Sequence, residues 1–501
     1  MKNRKLNIFI LISLILTIFF ILNPFGVEIL NARPGGGHSY SGGGSSSGGG
    51  GGGDGIGLLI YYIFSVLPPQ ISIPLVIGVI VLKFYVDKKN SSENQTIVAT
   101  PGIQATMNRN YVIERSLQQL LSIDPNFSKV LFLDFVASIY NKYYTWFGSE
   151  NFKNLSPYFD TYELQRSKNL HNKQTVNEIV IGSMRISEIN LLQSVTGIAV
   201  DIEANYTLNI HGRKTRYAVV ERWYFNRKTG IISPEPDKMR KLVCPACAAP
   251  VSFTDDGVCE SCGTKINAGE MQWFVLKHKI LSQEVFSTKG LAHYEEEIGT
   301  NLPTIYQHNI QETSMNFARR HNIDWNSWRM QFSQNVVSEY FIKIYNAWSI
   351  NKLNSVRNLL TDRLYDSFMF WIDAYKTAGL KNKLENINIS NVQLVSIDED
   401  KFYESITVRI FASALDYVID ASGKVQGGSD KNPRYFSEYW TFIRRQGVEK
   451  DAYDYSTCPN CGAPADKMGQ AGVCEYCGTK ISNGDFSWVL AIITQDESYT
   501  G

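Results

Sequence analysis

Apolar residues recur at helical spacing in two stretches of the second half of the chain. The first stretch repeats every four residues, at Phe332, Val336, Tyr340 and Ile344. The second is a wider stripe of Leu364, Phe368, Trp371, Ile372 and Tyr375. Such stripes are typical of amphipathic helices that pack their apolar face on a core. Gly379, shortly after the second stripe, predicts the end of that helix.

A period of two follows the helical stretches. In residues 200–210 apolar side chains alternate with polar ones such as Asp201, Asn205 and Thr207, and residues 406–410 alternate in the same way. This pattern predicts strands with one buried face and one water-exposed face, which favours antiparallel pairing. Helices followed by antiparallel strands predict an α+β fold with the helices on one face of each sheet.

The same order of motifs occurs twice, which indicates a duplicated domain. The sequence around Trp223 returns around Trp440, and a Gly-Thr-Lys-Ile tetrapeptide follows each cysteine cluster. The two copies are offset by roughly 200–217 residues, a period that fits a whole domain and not a short solenoid repeat. We therefore predict a first module at 116–282, a linker at 283–312 and a second module at 313–497.

The chain begins with a pattern that resembles a secretory signal. Lys2, Arg4 and Lys5 precede a long apolar run, so residues 1–32 are predicted to be a signal peptide or an uncleaved hydrophobic segment. Residues 33–55 are rich in Gly and Ser. Such a composition offers no apolar pattern to bury, and we predict a disordered segment there.

A second apolar stretch predicts a membrane span. It covers residues 56–87, and Pro68 and Pro69 interrupt it because proline breaks a helix. The spanning helix is therefore predicted at 71–86, and the shorter part before it either lies in the interface or extends the span. Residues 88–115 are the predicted linker to the first module.

The distribution of lysines predicts the orientation of that span. Lys83, Lys88 and Lys89 lie at its far end, and basic residues favour the cytoplasmic side of a membrane. The chain is thus predicted to be a cell-membrane protein with a single span and cytoplasmic C-terminal modules. Reduced cysteine thiols, as expected in the cytoplasm, agree with this orientation.

All eight cysteines fall into two clusters with the spacing of zinc ribbons. Each cluster reads Cys-x2-Cys, eleven or twelve residues, and Cys-x2-Cys, which suits four thiolates around a tetrahedral Zn²⁺. A closed four-thiolate site leaves no coordination position for water, so the two predicted zinc ions are structural. The ribbons are predicted at 241–268 and 455–483. The predicted ligands are Cys244, Cys247, Cys259, Cys262, Cys458, Cys461, Cys474 and Cys477.

Several short motifs together resemble the domain family of the mitochondrial inner-membrane translocase subunit 44. They are an Asp-Pro-x-Phe element at 124–127, an Ala-Trp pair at 347–348, a Leu-Leu-Thr-x-x-Leu-Tyr element at 359–365, a Trp-x-Phe-x-Arg strand at 440–444 and a Trp-x-Leu strand at 488–490. The first module departs from the pattern, because it has no Ala-Trp pair and no Leu-Leu-Thr element.

The resemblance implies cone-shaped domains similar to nuclear transport factor two, with each ribbon in the loop between the last two strands. It also implies an apolar pocket, which some of Phe368, Trp371, Ile372 and Tyr375 are expected to line. The implied role is that of a non-catalytic scaffold. Its expected partners are a membrane lipid or apolar ligand and a protein at the membrane.

Charge and histidine spacing bear on two alternative functions. The net charge of +1, from 49 basic and 48 acidic residues, argues against a nucleic-acid-binding ribbon protein, which needs a basic face. An enzyme that uses the cone pocket would need a carboxylate or histidine pair facing that pocket, and the seven histidines are scattered. Glu221 and Glu438 recur in both copies, and we interpret them as cross-strand partners of Arg227 and Arg444. We therefore expect neither catalysis nor nucleic-acid binding.

Overall fold

Two modules of the same design follow one another along the described part of the chain. The computed structural model describes residues 101–170, 174–239, 242–288, 290–292, 299–451, 457–464, 469, 471–496 and 498–499. Thr106–Gly501 belong to one compact unit, which contains both modules.

The first module places helices before an antiparallel sheet. Its elements are α1 (Pro101–Ile123), α2 (Lys129–Thr145), a 3-10 helix (Glu150–Tyr158), α3 (Thr161–Leu170), β1 (Gln174–Leu191), β2 (Val195–Ile210), β3 (Arg213–Lys228), the short α4 (Pro236–Met239) and β4 (Phe274–Val285). The four strands pair in the order β1-β2-β3-β4, all antiparallel.

The second module repeats this order with a longer helical part. It contains a 3-10 turn (Gly299–Asn301), α5 (Ile310–His321), α6 (Trp325–Phe332), a π-helical turn (Ser333–Ser338), α7 (Glu339–Ser349), a 3-10 helix (Leu353–Leu359), α8 (Asp362–Thr377), β5 (Leu380–Glu399), β6 (Tyr403–Asp420), β7 (Val425–Gly428), β8 (Arg434–Arg445) and β9 (Val489–Gln495). The sheet order is β5-β6-β8-β9, and β7 pairs with the outer part of β6.

The helical predictions are confirmed. The stripe that begins at Phe332 runs through the π-helical turn into α7, and the stripe from Leu364 to Tyr375 is the buried face of α8. Helix α8 ends at Thr377, and Gly379 follows it with a φ of +70°, a conformation that glycine adopts without strain. The predicted combination of helices and antiparallel sheets is confirmed as well.

Each module has an apolar core between its helices and its sheet. In the first module Phe132 of α2 packs edge-on against Phe225 of β3 and Trp273. In the second module Phe332 makes the same kind of contact with Phe442 and Trp488. The aromatic residues of the repeated Trp-x-Phe-x-Arg strands therefore serve as core residues in both copies.

The prediction that the polar face of the first sheet is exposed to water is wrong. Asp201, Asn205 and Thr207 on β2 are buried, with exposed fractions of 6%, 0% and 8%. Asp201 forms ion pairs with Arg222 at 2.5 Å and Arg185 at 3.3 Å. Helix α8 of the second module packs on β1, so this polar face meets another module instead of water.

The interpretation of the repeated glutamates is also wrong. Glu221 does not pair with Arg227; its carboxylate accepts hydrogen bonds from Tyr140 at 2.9 Å, from Tyr144 at 2.7 Å and from the indole of Trp223 at 2.9 Å. Glu438 likewise accepts from a tyrosine, Tyr345, and from the neighbouring tryptophan, Trp440. Both carboxylates are fully buried, so phenol and indole donors replace water around them.

The repeated arginines instead bind acids elsewhere. Arg227 donates to Asp124 of the Asp-Pro-x-Phe element at 2.7 Å and lies over the ring of Trp273. In the second module Arg444 donates to Asp451 at 2.7 Å and lies over Trp488. Each module thus stacks its strand arginine on the tryptophan that precedes its last strand.

The turn between β5 and β6 inserts into the first module. Phe402 and Tyr403 are 8% and 2% exposed and belong to the apolar core of the first module. Lys401, just before them, donates to Asn126 at 2.9 Å. The two modules therefore share core contacts and are not independently folded units joined only by a linker.

The predictions for the N-terminal part lie outside the described residues. These are the signal peptide or hydrophobic segment at 1–32, the Gly/Ser-rich segment at 33–55 and the transmembrane segment at 56–87. Among the residues that the structure describes, no helix has both the length and the apolar character needed to cross a membrane.

Replacing Phe402 by alanine should lower the free energy of unfolding by about 3 kcal/mol, because a buried aromatic side chain is lost from a core. Equilibrium unfolding of the full chain in detergent checks this. The matched control is Tyr435→Ala, since Tyr435 is 72% exposed and its loss should change stability by less than about 0.5 kcal/mol. Equal effects of the two changes would contradict the shared core.

Candidate metal centres and inter-module cavity

The sequence-predicted cysteines come together in two groups of four. In each group all four sulfur atoms lie within 4.8 Å of one another. The Sγ atoms of Cys244 and Cys262 are 4.0 Å apart, and those of Cys458 and Cys477 are 3.8 Å apart. A tetrahedral zinc with Zn–S bonds of about 2.3 Å needs S···S distances of about 3.8 Å. The groups therefore fit a metal ion of this kind and are far too open for a disulfide.

Tight turns position the thiols of each knuckle. The amide of Ala248 donates to the carbonyl of Cys244, and the amide of Gly462 does so to Cys458, each at 2.8 Å. The residue after the second cysteine has a positive φ in all four knuckles, and it is glycine in three of them. Ala248 holds this conformation with a φ of 60°. Glycine adopts this conformation without strain because it has no Cβ, and Ala248 is the departure from the pattern.

Hydrogen bonds prepare one thiol in each group for ionisation. Thr264 donates to Cys262 and lowers the pKa of that thiol to about 6. Thr479 and then Asn460 donate to Cys477 and lower its pKa to about 5. Burial has the opposite effect on Cys244, whose pKa is raised to about 12. A bound cation would favour the thiolate form of all four ligands.

The first ribbon docks on the 3-10 helix and α3 of its own module. The amide of Phe253 donates to Asn154 at 2.9 Å, and the hydroxyl of Tyr158 donates to the carbonyl of Val243. Lys153 and Lys168 add exposed ion pairs to this ribbon, each of which contributes little.

The second ribbon docks on the start of α8. Lys480 donates to both carboxylate oxygens of Asp362, at 2.7 and 2.6 Å, and Ser482 donates to the same carboxylate at 3.1 Å. Burial raises the pKa of Asp362, but Lys480 and Arg357 outweigh it, so the pKa lies below its usual range.

A cavity of about 300 Å³ lies between the two modules. The first module contributes residues from α1, α2, β1 and β2 to its wall, and the second module contributes residues from α8 and from strands β5, β6, β8 and β9. Apolar side chains from both modules line it, among them Leu133, Ile186, Trp371 and Ile493. Its volume lies at the lower end of the range for ligand sites.

Two of the four pocket residues predicted from the sequence line this cavity. Phe368 and Trp371 line it, whereas Ile372 and Tyr375 do not. All four are at most 8% exposed and belong to the core of the second module. The helical periodicity predicted that these residues lie on a buried face. The cavity residues of the first module could not be predicted from the sequence, because their position depends on how the two modules pack.

Two charged groups of the cavity wall, Asp201 and Arg363, have oppositely charged partners. Asp201 is held by Arg185 and Arg222, and although burial raises the pKa of Asp201, these two arginines bring it below the usual value. Arg363 lies 3.4 Å from Asp134. Burial, and then the charge of Asp398, raises the pKa of Glu114. Asp201 and Arg363 are thus compensated, whereas Glu114 and Asp398 are two acids of the wall that repel each other.

A second cavity of about 330 Å³ lies nearby and is more polar. Lys129, Arg320 and the consecutive acids Asp398, Glu399 and Asp400 line it, together with residues of α1 and α5. Burial raises the pKa of Asp400 to about 6. Three consecutive acids thus meet at this module contact, and Arg320 pairs with one of them, Glu399.

A carboxylate–histidine pair lies in the first module, and sequence spacing did not reveal it. His278 of β4 lies with its Nδ1 2.6 Å from Glu163 of α3, and its Nε2 is 3.2 Å from the hydroxyl of Tyr143. Arg166 donates to the same carboxylate at 2.8 Å, and His278 stacks on Trp223. Neither member of the pair lines either of the two cavities. The arrangement is that of a packed, hydrogen-bonded cluster inside the module.

Comparison with known proteins identifies the second module. Residues 317–455 match the family model of the Tim44-like domain, which confirms the resemblance over that range and indicates a binding or scaffold role. A solved structure, "Ntf2 like protein involved in plasmid conjugation", is 9% identical over 62% of this chain and 88% of that chain, with a TM-score of 0.18. No curated protein matches the chain.

Replacing Glu163 by glutamine should destabilise the protein in a pH-dependent way. Burial alone raises the pKa of Glu163, but His278 and Arg166 bring it to about 2. The ionised carboxylate therefore contributes stability that is complete above about pH 5 and is lost as the pH falls towards 2. We expect a loss of about 2 kcal/mol at pH 6 that shrinks towards zero at pH 2.

Unfolding curves at several pH values measure this difference. The control is Glu150→Gln, because Glu150 is exposed and forms no ion pair among the described residues. A Glu163→Gln penalty that stays constant from pH 6 to pH 3 would contradict the assignment.

Proposed function

We propose that this protein, whose residues 317–455 are a Tim44-like domain, is a non-catalytic binding protein that takes the acyl chain of a lipid between its two modules. The single observation that carries the proposal is the inter-module cavity of about 300 Å³. Its apolar wall suits a hydrocarbon chain, and binding would remove that chain from water.

The chemistry of the cavity wall favours an apolar ligand over an ionic one. Asp201 is neutralised by two arginines, and Arg363 lies beside Asp134. A charged ligand would have to break such pairs, which costs more than an exposed contact returns. Among the described residues, the Glu163–His278 pair lines neither cavity, which supports a binding role over acid–base catalysis in the cavity.

A location at a membrane face follows from the predicted span. Only residues 88–100 separate the predicted transmembrane segment at 56–87 from α1. A chain of this length reaches at most about 45 Å. Ile113 and Leu117 of α1 line the cavity, so the tether would hold the binding site close to the lipid surface.

The two four-cysteine groups are proposed to hold structural zinc. Four thiolates at these distances suit Zn²⁺, and no coordination position is left for a substrate. When bound, the metal would tie each ribbon together, because a hairpin of this size has too little core to fold alone.

Metal analysis should find two zinc ions per molecule in the purified wild-type chain and one in the Cys477→Ser variant. Loss of a single thiolate ligand opens a closed site and weakens binding strongly. The control is Tyr476→Ser, because Tyr476 neighbours Cys477 but is 65% exposed and is no ligand. Fewer than one zinc in freshly purified wild-type protein would refute the assignment.

Filling the cavity should block lipid binding. Ser367 lines the cavity and is 9% exposed, so Ser367→Phe would occupy the space of a ligand. A steric overlap that costs about 1–3 kcal/mol weakens binding of the ligand roughly five- to 150-fold. The measurement is titration of the full chain with a fluorescent long-chain fatty acid.

Ser327→Phe is the matched control, because Ser327 is an exposed residue of α6. It should bind the probe as the wild type does. If the wild type fails to bind the probe and carries no lipid after mild purification, the cavity proposal is wrong. The scaffold role would then rest on a protein partner, and crosslinking at the membrane would identify it.

A further inference from the structure

The two ribbons differ in what their flanking strands do. The second ribbon joins β8 to β9, and both strands contribute to the cavity wall, through Thr441 and Ile443 and through residues 491–495. The first ribbon joins β3 to β4, and neither of these strands contributes to it. The strands that flank the second ribbon therefore line the cavity, whereas the strands that flank the first ribbon do not.

The second ribbon also holds the helix that lines the cavity. Lys480 and Ser482 bind Asp362 in the first turn of α8. The next residue, Arg363, lines the cavity, and so do Leu364, Ser367, Phe368 and Trp371 further along α8. A displacement at Asp362 would be transmitted along a rigid helix to that part of the wall.

Close packing reinforces this contact. Gly472 of the ribbon approaches so closely that an added Cβ would lie 2.8 Å from the guanidinium of Arg357. Arg357 is 2% exposed and donates to the carbonyl of Leu360, just before α8, at 2.8 Å. The ribbon is thus fitted against the base of α8 and does not merely touch it through a flexible lysine.

The first ribbon makes no equivalent contact with the cavity. It docks on Asn154 and Tyr158 of the 3-10 helix, and the 3-10 helix does not line the cavity. Lys265 occupies the position of Lys480 in the repeated Gly-Thr-Lys-Ile tetrapeptide. Within the described ranges, Lys265 forms no ion pair with a helix.

We propose that metal bound by the second ribbon controls the inter-module cavity, whereas metal bound by the first ribbon only stabilises its own module. The proposal rests on the proposed function for the ligand, but the coupling itself is a property of the chain. The second ribbon has a small core of Cys458, Cys474 and Ile481. Without metal such a core does not hold a fold, so the clamp on Asp362 is released and the α8 wall becomes mobile.

Hydrogen exchange of the full chain tests the coupling without any ligand. In Cys477→Ser, the amides of α8 and β9 should exchange at least about tenfold faster than in the wild type, because local opening of these elements becomes easier. In Cys262→Ser, faster exchange should appear in the 3-10 helix Glu150–Tyr158, while α8 keeps its protection. Unchanged α8 exchange in Cys477→Ser, despite a ribbon that has lost its metal, would overturn the proposal.

Probe binding tests the consequence for the cavity with variants that keep all eight cysteines. Lys480→Ala should weaken binding of the fluorescent fatty acid by about threefold or more, in the range of a partly buried ion pair. Lys265→Ala is the matched control and should bind as the wild type does.

The possible results separate the two proposals. Equal affinities of Lys480→Ala, Lys265→Ala and wild type would overturn the coupling while leaving the cavity as a binding site. If no protein binds the probe, the proposed function fails, and the exchange of α8 alone decides whether the second ribbon controls this helix.

Discussion

The packing of α8 from the second module on β1 of the first is the contact on which the arrangement of the protein depends. It covers a sheet face whose side chains are polar, and Asp201 is buried there only because Arg185 and Arg222 neutralise it. Arg216 of β3 lies over the ring of Phe370 on the same helix. Beside these contacts a space remains between the modules, and this space, lined by apolar side chains of both, is the cavity.

Much of the fold could be predicted from the spacing of apolar residues, because this spacing shows which face of a helix or strand packs on the core of its own module. The stripe of α8 and the end of that helix at Gly379 were readable in this way. The alternation along β2 located the buried face, but it assigned Asn205 to water, although this residue is fully buried. A polar residue that faces another module looks the same in a sequence as one that faces solvent. The first-module wall of the cavity was unreadable for this reason.

The two groups of four cysteines were predictable to the residue, whereas the partners of buried charges were not. Cys-x2-Cys spacing encodes local geometry, and even the turn requirement at Gly462 is visible in the sequence. The partner of Arg227 is Asp124, more than a hundred residues earlier, and Glu221 is satisfied by tyrosines of α2. The Asp-Pro-x-Phe element at 124–127 and the arginine of the Trp-x-Phe-x-Arg strand are therefore the two partners of a single interaction.

The duplication explains why the two ribbons need not have the same role. Each module alone contains the repeated set of a buried glutamate, a strand tryptophan and a stacked arginine. The cavity requires both modules, and it takes its helical wall from α1 and α2 of the first module and α8 of the second. Only the ribbon that touches α8 lies where it can act on the cavity. A change that leaves each module folded but loosens their contact would therefore remove the cavity and leave both four-cysteine groups intact.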